Sequence, residues 1–256
     1  MNHFKLRGST NLKIILTNDD GFDAPGLHTL ESCFQDAAQI TVVAPAQPQS
    51  GIGHKVTTRS PIRVNRMGPN FYNVEGTPAD CSRIALKQIA PEARWLISGI
   101  NPGANLGSDV YNSGTVAAAR EAAILGYRSI AISQYIAKDH QINWDITGYH
   151  AAAVLKMLME QDIASSFFWN VNLPRLMDGH TNIPVVFCGL DTNPHKYDFK
   201  INESEYIYEG SIHERPRNPG IDVVVCFDEG KIAITQIAVG TANQGIPASS
   251  VIFPQK

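Results

Sequence analysis

The 256-residue sequence has no strong excess of either charge and no long apolar run. It contains 21 Lys+Arg against 24 Asp+Glu, so it lacks the basic footprint typical of nucleic-acid-binding proteins. No stretch approaches the roughly 20 apolar residues that a membrane-spanning helix needs. Residues 1–13 also lack the apolar core of a secretory signal. We therefore expect a cytoplasmic protein with no nucleic-acid or membrane partner.

Cysteine pairs and several familiar motifs are also missing. The four cysteines form no Cys-x-x-Cys pair, which predicts free thiols in a reducing compartment and argues against disulfides or a zinc centre. The sequence has no G-x-x-x-x-G-K-[ST], no G-x-G-x-x-G after a strand and no G-x-S-x-G. These absences argue against a P-loop ATPase, a dinucleotide-dependent enzyme and a serine hydrolase.

What the sequence does contain is a regular alternation of strand and helix patterns. Short apolar runs cut off by turn residues, such as Ile14–Leu16 and Trp95–Ser98, predict buried strands. Helical periodicity is clearest over Thr115–Leu125 and Asn143–Gln161. This alternation predicts an α/β fold with a mostly parallel sheet and helices on both faces.

The character of the sequence changes after Leu190. Three segments there have patterns typical of exposed or paired strands: Tyr197–Tyr208, Ile221–Phe227 and Lys231–Ile237. They predict a C-terminal β-rich extension or arm on a single domain. We assign the domain to 1–256, with a core of about 12–190, an extension of about 191–256 and an added tail at 240–256.

Three polar, glycine-containing loops follow three predicted strands, at 18–25, 47–53 and 99–114. Because parallel strands bring their carboxyl ends to one edge of a sheet, we expect these loops to meet there. Their side chains offer oxygen ligands only, a set that suits Mg²⁺, Mn²⁺ or Ca²⁺. The oxygen donors are Asp19, Asp20, Ser50, and the amide of Asn101 or Asn105.

Two features of these loops have competing interpretations. Asn18–Gly21 has the composition of a hairpin turn, but residues 22–31 supply no second alternating strand. The third loop ends at Ser113-Gly114-Thr115, directly before a helix, where free N–H groups favour phosphate. The alternative is that Ser113 or Thr115 only caps that helix. A divalent cation beside a phosphate-binding helix end suggests phosphoester hydrolysis.

Other polar residues near these loops are expected to be structural. His54 follows the second loop, and His150 lies within a helical pattern. Arg120 and Glu121 have the spacing of a helix-surface or helix-packing pair. We assign no catalytic role to these four.

Six motifs together resemble the SurE (survival protein E) phosphatases over about residues 12–174. They are Thr-Asn-Asp-Asp-Gly-Phe-Asp-Ala-Pro-Gly (17–26), Val-Ala-Pro with Gln-Ser-Gly-Ile-Gly-His (43–54), Gly-Thr-Pro-Ala-Asp-Cys (76–81), Ser-Gly-Ile-Asn-Pro-Gly-Ala-Asn-Leu-Gly (98–107), Ser-Gly-Thr-Val-Ala-Ala-Ala (113–119) and Asn-Val-Asn-Leu-Pro (170–174). The resemblance implies a Rossmann-like fold and a divalent-metal-dependent nucleotidase. Such enzymes release phosphate from nucleoside 5′- and often 3′-monophosphates, and some also attack polyphosphate.

The resemblance also assigns site residues. It implies one Mg²⁺ or Mn²⁺ per subunit and catalytic roles for Asp19 and Asp20, with either a metal-activated water or Asp19 as nucleophile. The implied metal ligands are Asp19, Asp20, Ser50 and Asn101. The implied phosphate contacts are Asn105, Ser113, Gly114 and Thr115. It further implies a homodimer or homotetramer built through the C-terminal arm.

The sequence departs from the family pattern in two places. Asn112 stands where the family usually has tyrosine, with Tyr111 one residue earlier, and the C-terminal third matches poorly. Nucleobase preference and assembly therefore stay open. A different hypothesis is a regulatory module that binds nucleotides without hydrolysing them, although the full set of four metal ligands argues against it.

Overall fold

A computed structural model of the chain describes most of its length. The described residues are 12–35, 37–138, 140–164, 166–177, 179, 182–194, 198–209 and 215–240. The predicted tail lies outside them beyond Gly240.

A nine-stranded mixed sheet forms the centre of the molecule, in the order β3-β4-β2-β1-β5-β6-β7-β11-β8. Its six central strands, from β4 to β7, run parallel, whereas β3, β11 and β8 run in the opposite direction. The strands are β1 (Lys13–Thr17), β2 (Gln39–Pro45), β3 (Val64–Gly68), β4 (Phe71–Val74), β5 (Trp95–Pro102), β6 (Arg128–Gln134), β7 (Phe167–Leu173), β8 (Val185–Phe187) and β11 (Ile232–Ala238). The predicted fold class is confirmed.

The strand order reverses between β1 and β5. From β1 the chain builds outward through β2 and β4, and it then returns to the other side of β1 with β5, β6 and β7. Open α/β sheets bind their ligands in the crevice at such a reversal, outside the carboxyl ends of the strands. The loops that follow β1 and β5 lie on the two sides of that crevice.

Within the described residues, four α-helices cover the two faces of the sheet. They are α1 (Pro25–Ser32), α2 (Pro78–Ile84, continued by a π-helical turn at Ala85–Ile89), α3 (Gly114–Ile124) and α4 (Trp144–Met159). Helices α1 and α4 pack with the β1 residues Ile14 and Leu16, whereas α2 packs on Ile15 between them. This alternation within β1 is what a strand buried on both faces requires. In the described part of the chain, no helix is long and apolar enough to cross a membrane.

The region after Leu190 is only partly as expected. Phe199–Asn202 (β9) and Glu205–Tyr208 (β10) form an antiparallel hairpin whose residues are all exposed. The strand predicted at Ile221–Phe227 is wrong, because Asp222 and Val223 are helical and a π-helical turn covers Val224–Asp228. Val223, Val225 and Cys226 are nevertheless buried there, so tertiary packing overrides the β preference of valine.

The last described strand, β11, belongs to the main sheet. It pairs with β7 on one side and β8 on the other, and its first four residues are buried. Because a strand from beyond residue 190 completes the central sheet, we propose that the described chain is one domain whose core extends past the predicted limit.

Candidate metal and phosphate site

The turn after β1 contains two carboxylates that are wholly or partly buried. The side-chain amide of Asn18 donates to the Gly21 carbonyl at 2.8 Å, which closes the turn. Asp19 is only 4% exposed, and Asp20 is half-buried. Two adjacent carboxylates at this depth are costly unless a cation or hydrogen-bond donors compensate them.

The three polar loops meet at one edge of the sheet, as predicted. The Gln49 N–H donates to the Asp19 carbonyl at 2.7 Å, which joins the first and second loops. Ser50 is the residue directly after Gln49. The Gly53 N–H donates to the Asn112 carbonyl at 3.0 Å, which joins the second and third loops.

Asn101 reaches the same edge from the other side of the crevice, because it lies near the end of β5. Thr17 of β1 pairs with Ser98 of β5, so the acidic turn follows β1 at the level at which β5 approaches Asn101. The Asn101 side-chain N–H donates to the Gly103 carbonyl, which holds that amide within its own turn.

Burial dominates the electrostatics of the acidic pair. It raises the pKa of Asp19 above its usual value, although hydrogen bonds from the Thr115 hydroxyl and from the N–H groups of Thr115 and Gly114 oppose the rise. Burial also raises the pKa of Asp20 to about 7, and the charge of Asp19 adds to the effect. A bound cation would relieve both the desolvation and the repulsion.

Two buried oxygens in this turn support a cation site. Asp20 Oδ2 and Asn18 Oδ1 have no hydrogen-bond partner among the described residues. Buried polar atoms normally have a partner, so each exception requires an explanation. Carboxylate and amide oxygens are hard donors, the type that Mg²⁺ and Mn²⁺ prefer. The donor set therefore fits a divalent cation.

The N-terminus of α3 contacts Asp19 directly. The Thr115 hydroxyl donates to Asp19 Oδ1, and Ser113 caps the helix by accepting the Val116 N–H at 3.1 Å. A Cβ atom on Gly114 would lie 2.8 Å from the Cβ of Asp19, so only glycine allows this approach. Ser113 therefore caps α3, and because it caps as an acceptor, its hydroxyl proton can still donate to a ligand.

Asn105 is held rigidly by two asparagines of β7. Its N–H donates to Asn172 Oδ1 at 2.8 Å, and its carbonyl accepts from the amides of Asn170 and Asn172 at 2.8 and 3.0 Å. The Asn105 side chain donates to the Ser133 hydroxyl at 2.8 Å. One N–H of the Asn105 amide remains available for a ligand.

A buried ion cluster contacts the end of the second loop. Glu121 of α3 is 2% exposed and bonds His54 Nε2 at 2.7 Å and Arg83 Nε at 2.5 Å. Arg120 donates to the Val110 carbonyl at 2.8 Å and lies 3.5 Å from His54 Nδ1. These contacts tie the end of the second loop to α3, which agrees with the structural roles expected for His54 and Glu121. His150 is also buried, in α4.

Sequence reasoning assigned no role to Asn170, Asn172 or Ser133. Asn170 and Asn172 alternate with apolar residues in a strand, which places both amides on one face. Two amides on the buried face of a strand require hydrogen-bond partners, so the alternation in the sequence could have indicated that these asparagines bind another part of the chain. It does not reveal that the partner is the backbone of Asn105, 65 or more residues away.

The fold and this edge define the class of the protein: a doubly wound α/β protein with an oxygen-rich edge at the reversal of strand order. The chain also matches the family described as Survival protein SurE over residues 14–193. It belongs to the SurE family.

Relatives and a solved structure agree with this membership. A Synechocystis sp. protein named "Putative 5′-nucleotidase" is 47% identical over 89% of this chain and 100% of its own length. The "5′-nucleotidase SurE" of Heliobacterium modesticaldum is 34% identical over 92% of this chain and 89% of its own. The crystal structure of the SurE protein from Aquifex aeolicus has a TM-score of 0.78, with 29% identity over 90% of this chain and 95% of that one.

Proposed function

We propose that this chain is a divalent-metal-dependent 5′-nucleotidase that releases phosphate from nucleoside monophosphates. Relatives that are up to 47% identical and carry the 5′-nucleotidase name support this enzyme class. The single observation that carries the metal dependence is the buried acidic turn, in which Asp20 Oδ2 has no partner among the described residues and lies beside the buried Asp19.

The proposed ion-binding residues are Asp19, Asp20, Ser50 and Asn101. When bound, the ion would supply positive charge to the phosphoryl oxygens and acidify the attacking water. The side chains of Asp19 and Asp20 would hold that ion, and the N-terminus of α3 fixes Asp19 through the Thr115 hydroxyl. The remaining N–H of Asn105, the Ser113 hydroxyl and the N-terminal turn at Gly114 and Thr115 are proposed to bind the phosphoryl group.

The test is a phosphate-release assay on a panel of substrates. AMP, GMP, 3′-AMP and polyphosphate should be assayed with EDTA and with Mg²⁺, Mn²⁺ and Co²⁺ in turn. We expect release from the 5′-monophosphates only when a metal is present, with the 3′-ester and polyphosphate as further substrates. Binding of AMP without phosphate release under every metal would contradict this proposal and favour the regulatory-module alternative.

Two further proposals concern assembly and location. The β9–β10 hairpin exposes Phe199, Ile201, Tyr206, Ile207 and Tyr208, and we propose that it packs on another copy of the chain in a dimer or tetramer. We also propose a cytoplasmic location, because the four cysteines carry free thiols, as a reducing compartment favours.

A further inference from the structure

The loop between β5 and α3 carries Asn105 near one end and Ser113 at the other. On one side it is fastened by Asn170 and Asn172 of β7. Both asparagines lie within the residues that match the SurE family. The opposite side of the loop contacts a segment beyond that match, residues 215–228.

Two buried ionic side chains of this segment bind the loop. Arg215 is 3% exposed and donates to the Asp109 carboxylate at 2.8 Å and to the Leu106 carbonyl at 3.1 Å. Asp222 is fully buried and accepts the Gly107 N–H at 2.7 Å. Leu106, Gly107 and Asp109, which follow Asn105 in the loop, are thus bonded directly to this segment.

The segment itself is anchored, so it can serve as a fixed support. Asp222 also accepts the N–H groups of Asp191 and Val223 at 2.8 and 2.9 Å. Phe227, at the far end of the segment, stacks on Tyr135 with ring centroids 4.0 Å apart. Tyr135 directly follows β6, whose Ser133 contacts the Asn105 side chain.

We propose that Arg215 and Asp222 are positioning residues for phosphate binding. They hold residues 106–109 from the side opposite β7, so that the Asn105 amide keeps one orientation toward the phosphoryl group. This inference rests on the proposed function, because it takes Asn105 as a phosphate contact. It also gives the segment after residue 193 a role in the site that the family match does not include.

The experiment compares two arginines of the same segment. Arg215→Met removes both contacts to the loop. Arg217→Met is the matched control, because both arginines lie over the Phe227 ring, at 5.7 Å for Arg215 and 5.6 Å for Arg217, and Arg217 pairs with Asp228. The measurements are kcat and KM on AMP with saturating Mn²⁺, competitive inhibition by inorganic phosphate, and the Mn²⁺ concentration for half-maximal rate.

For Arg215→Met we expect the KM for AMP and the inhibition constant of phosphate to rise about tenfold, because the loop that carries Asn105 loses both contacts to Arg215. The Mn²⁺ requirement should change by less than about twofold, since the metal ligands lie on other loops. Arg217→Met should leave all three values within about twofold of the unmodified protein. Equal effects from the two variants, or a lower melting temperature with unchanged KM, would overturn the proposal.

A milder variant decides the question if Arg215→Met does not fold. Arg215→Lys keeps the charge but cannot reach the carboxylate and the carbonyl together, so we expect a smaller rise in KM of about threefold. An unchanged KM in this variant would contradict the proposal.

A failure of the proposed function would give a different result. In that case the unmodified protein would release no phosphate from AMP with any metal. Calorimetric titration with inorganic phosphate and Mn²⁺ would then still test the positioning role. Weaker phosphate binding by Arg215→Met than by Arg217→Met would support it, and equal binding would overturn it.

Discussion

The acidic turn at residues 18–20 and the hairpin at 199–208 are both unusual in what they bury and expose, but in opposite ways. The turn buries carboxylates, with Asp19 only 4% exposed, whereas the hairpin exposes apolar side chains, with Ile201 at 63% and Tyr206 at 68%. A soluble domain normally exposes charge and buries such side chains. We therefore propose a partner of complementary chemistry for each region: a hard cation for the turn and an apolar surface of another copy of the chain for the hairpin.

Glu121 provides the contrast within the site. It is buried as deeply as Asp19, but His54 and Arg83 of the same chain compensate its charge. Asp20 Oδ2 has no such partner within the described ranges of the chain. The difference separates a structural carboxylate, whose charge other side chains of the fold compensate, from the carboxylate that we propose as a metal ligand. The following predictions test that separation, from the largest expected effect to the smallest.

Asp20→Asn should lower metal-dependent phosphate release from AMP by about 100-fold or more, because it removes a charged metal ligand. The free energy of unfolding in EDTA at pH 8 should stay the same or rise by about 1 kcal/mol, since repulsion between the two carboxylates disappears. The control is Asp23→Asn, because Asp23 is an exposed acid in the same loop. It should change neither phosphate release nor the free energy of unfolding. Undiminished turnover of Asp20→Asn would exclude this site.

Gly114→Ala should lower kcat/KM by about 10- to 100-fold, because its Cβ would lie 2.8 Å from the Cβ of Asp19 and displace that carboxylate. The control is Gly148→Ala, another glycine within a helix, whose Cβ would meet only the Thr29 side chain at 3.2 Å. Steady-state kinetics on AMP with Mn²⁺ distinguish the two. Equal kinetics would show that Asp19 need not lie against α3.

Glu121→Gln should destabilise the protein by about 1–3 kcal/mol at pH 7, because the substitution breaks charge-assisted bonds to His54 and Arg83. Asp20→Asn should not destabilise it. Burial raises the pKa of Glu121, but these bonds outweigh burial and the pKa lies below its usual 4.5. A lowered carboxyl pKa stabilises the fold above the unfolded-state value, and the contribution is lost as the pH falls through the folded-state value.

The difference between Glu121→Gln and the unmodified protein should therefore shrink as the pH falls below about 4.5. Chemical denaturation at a series of pH values measures it. Glu75→Gln, which disturbs only an exposed pair with Arg63 at 3.7 Å, should change stability by less than about 0.5 kcal/mol. A constant difference across the pH series would contradict the assigned role of Glu121.

Ile201→Ser combined with Tyr206→Ser should change assembly but barely change the fold. The two residues are cross-strand partners, and serine at exposed positions should alter subunit stability by about 0.5 kcal/mol or less. Sedimentation should show a smaller species than the unmodified protein, with Lys200→Ser on the same hairpin as control. Identical sedimentation of all three would contradict an arm that contacts another copy.

The sequence predicted the sheet and the meeting of the three polar loops better than it predicted the C-terminal region. The three polar loops, the helix start at Ser113 and the sheet class followed from local patterns, because strand ends, caps and turns are set by nearby residues. The segment Ile221–Phe227 has a strong β pattern but is helical. Its side chains are buried against other elements, and that packing outweighs a preference of at most about 1 kcal/mol per residue.

The sequence alone determined which chemistry is available: three polar loops with oxygen donors but without histidine or cysteine, and a helix start beside a glycine. The tertiary structure decided which of those groups are compensated. Glu121 meets Arg83 across 38 positions, and Arg215 meets Asp109 across 106. Whether a buried charge has a partner depends on contacts between distant parts of the chain, and such contacts leave no local signal in the sequence.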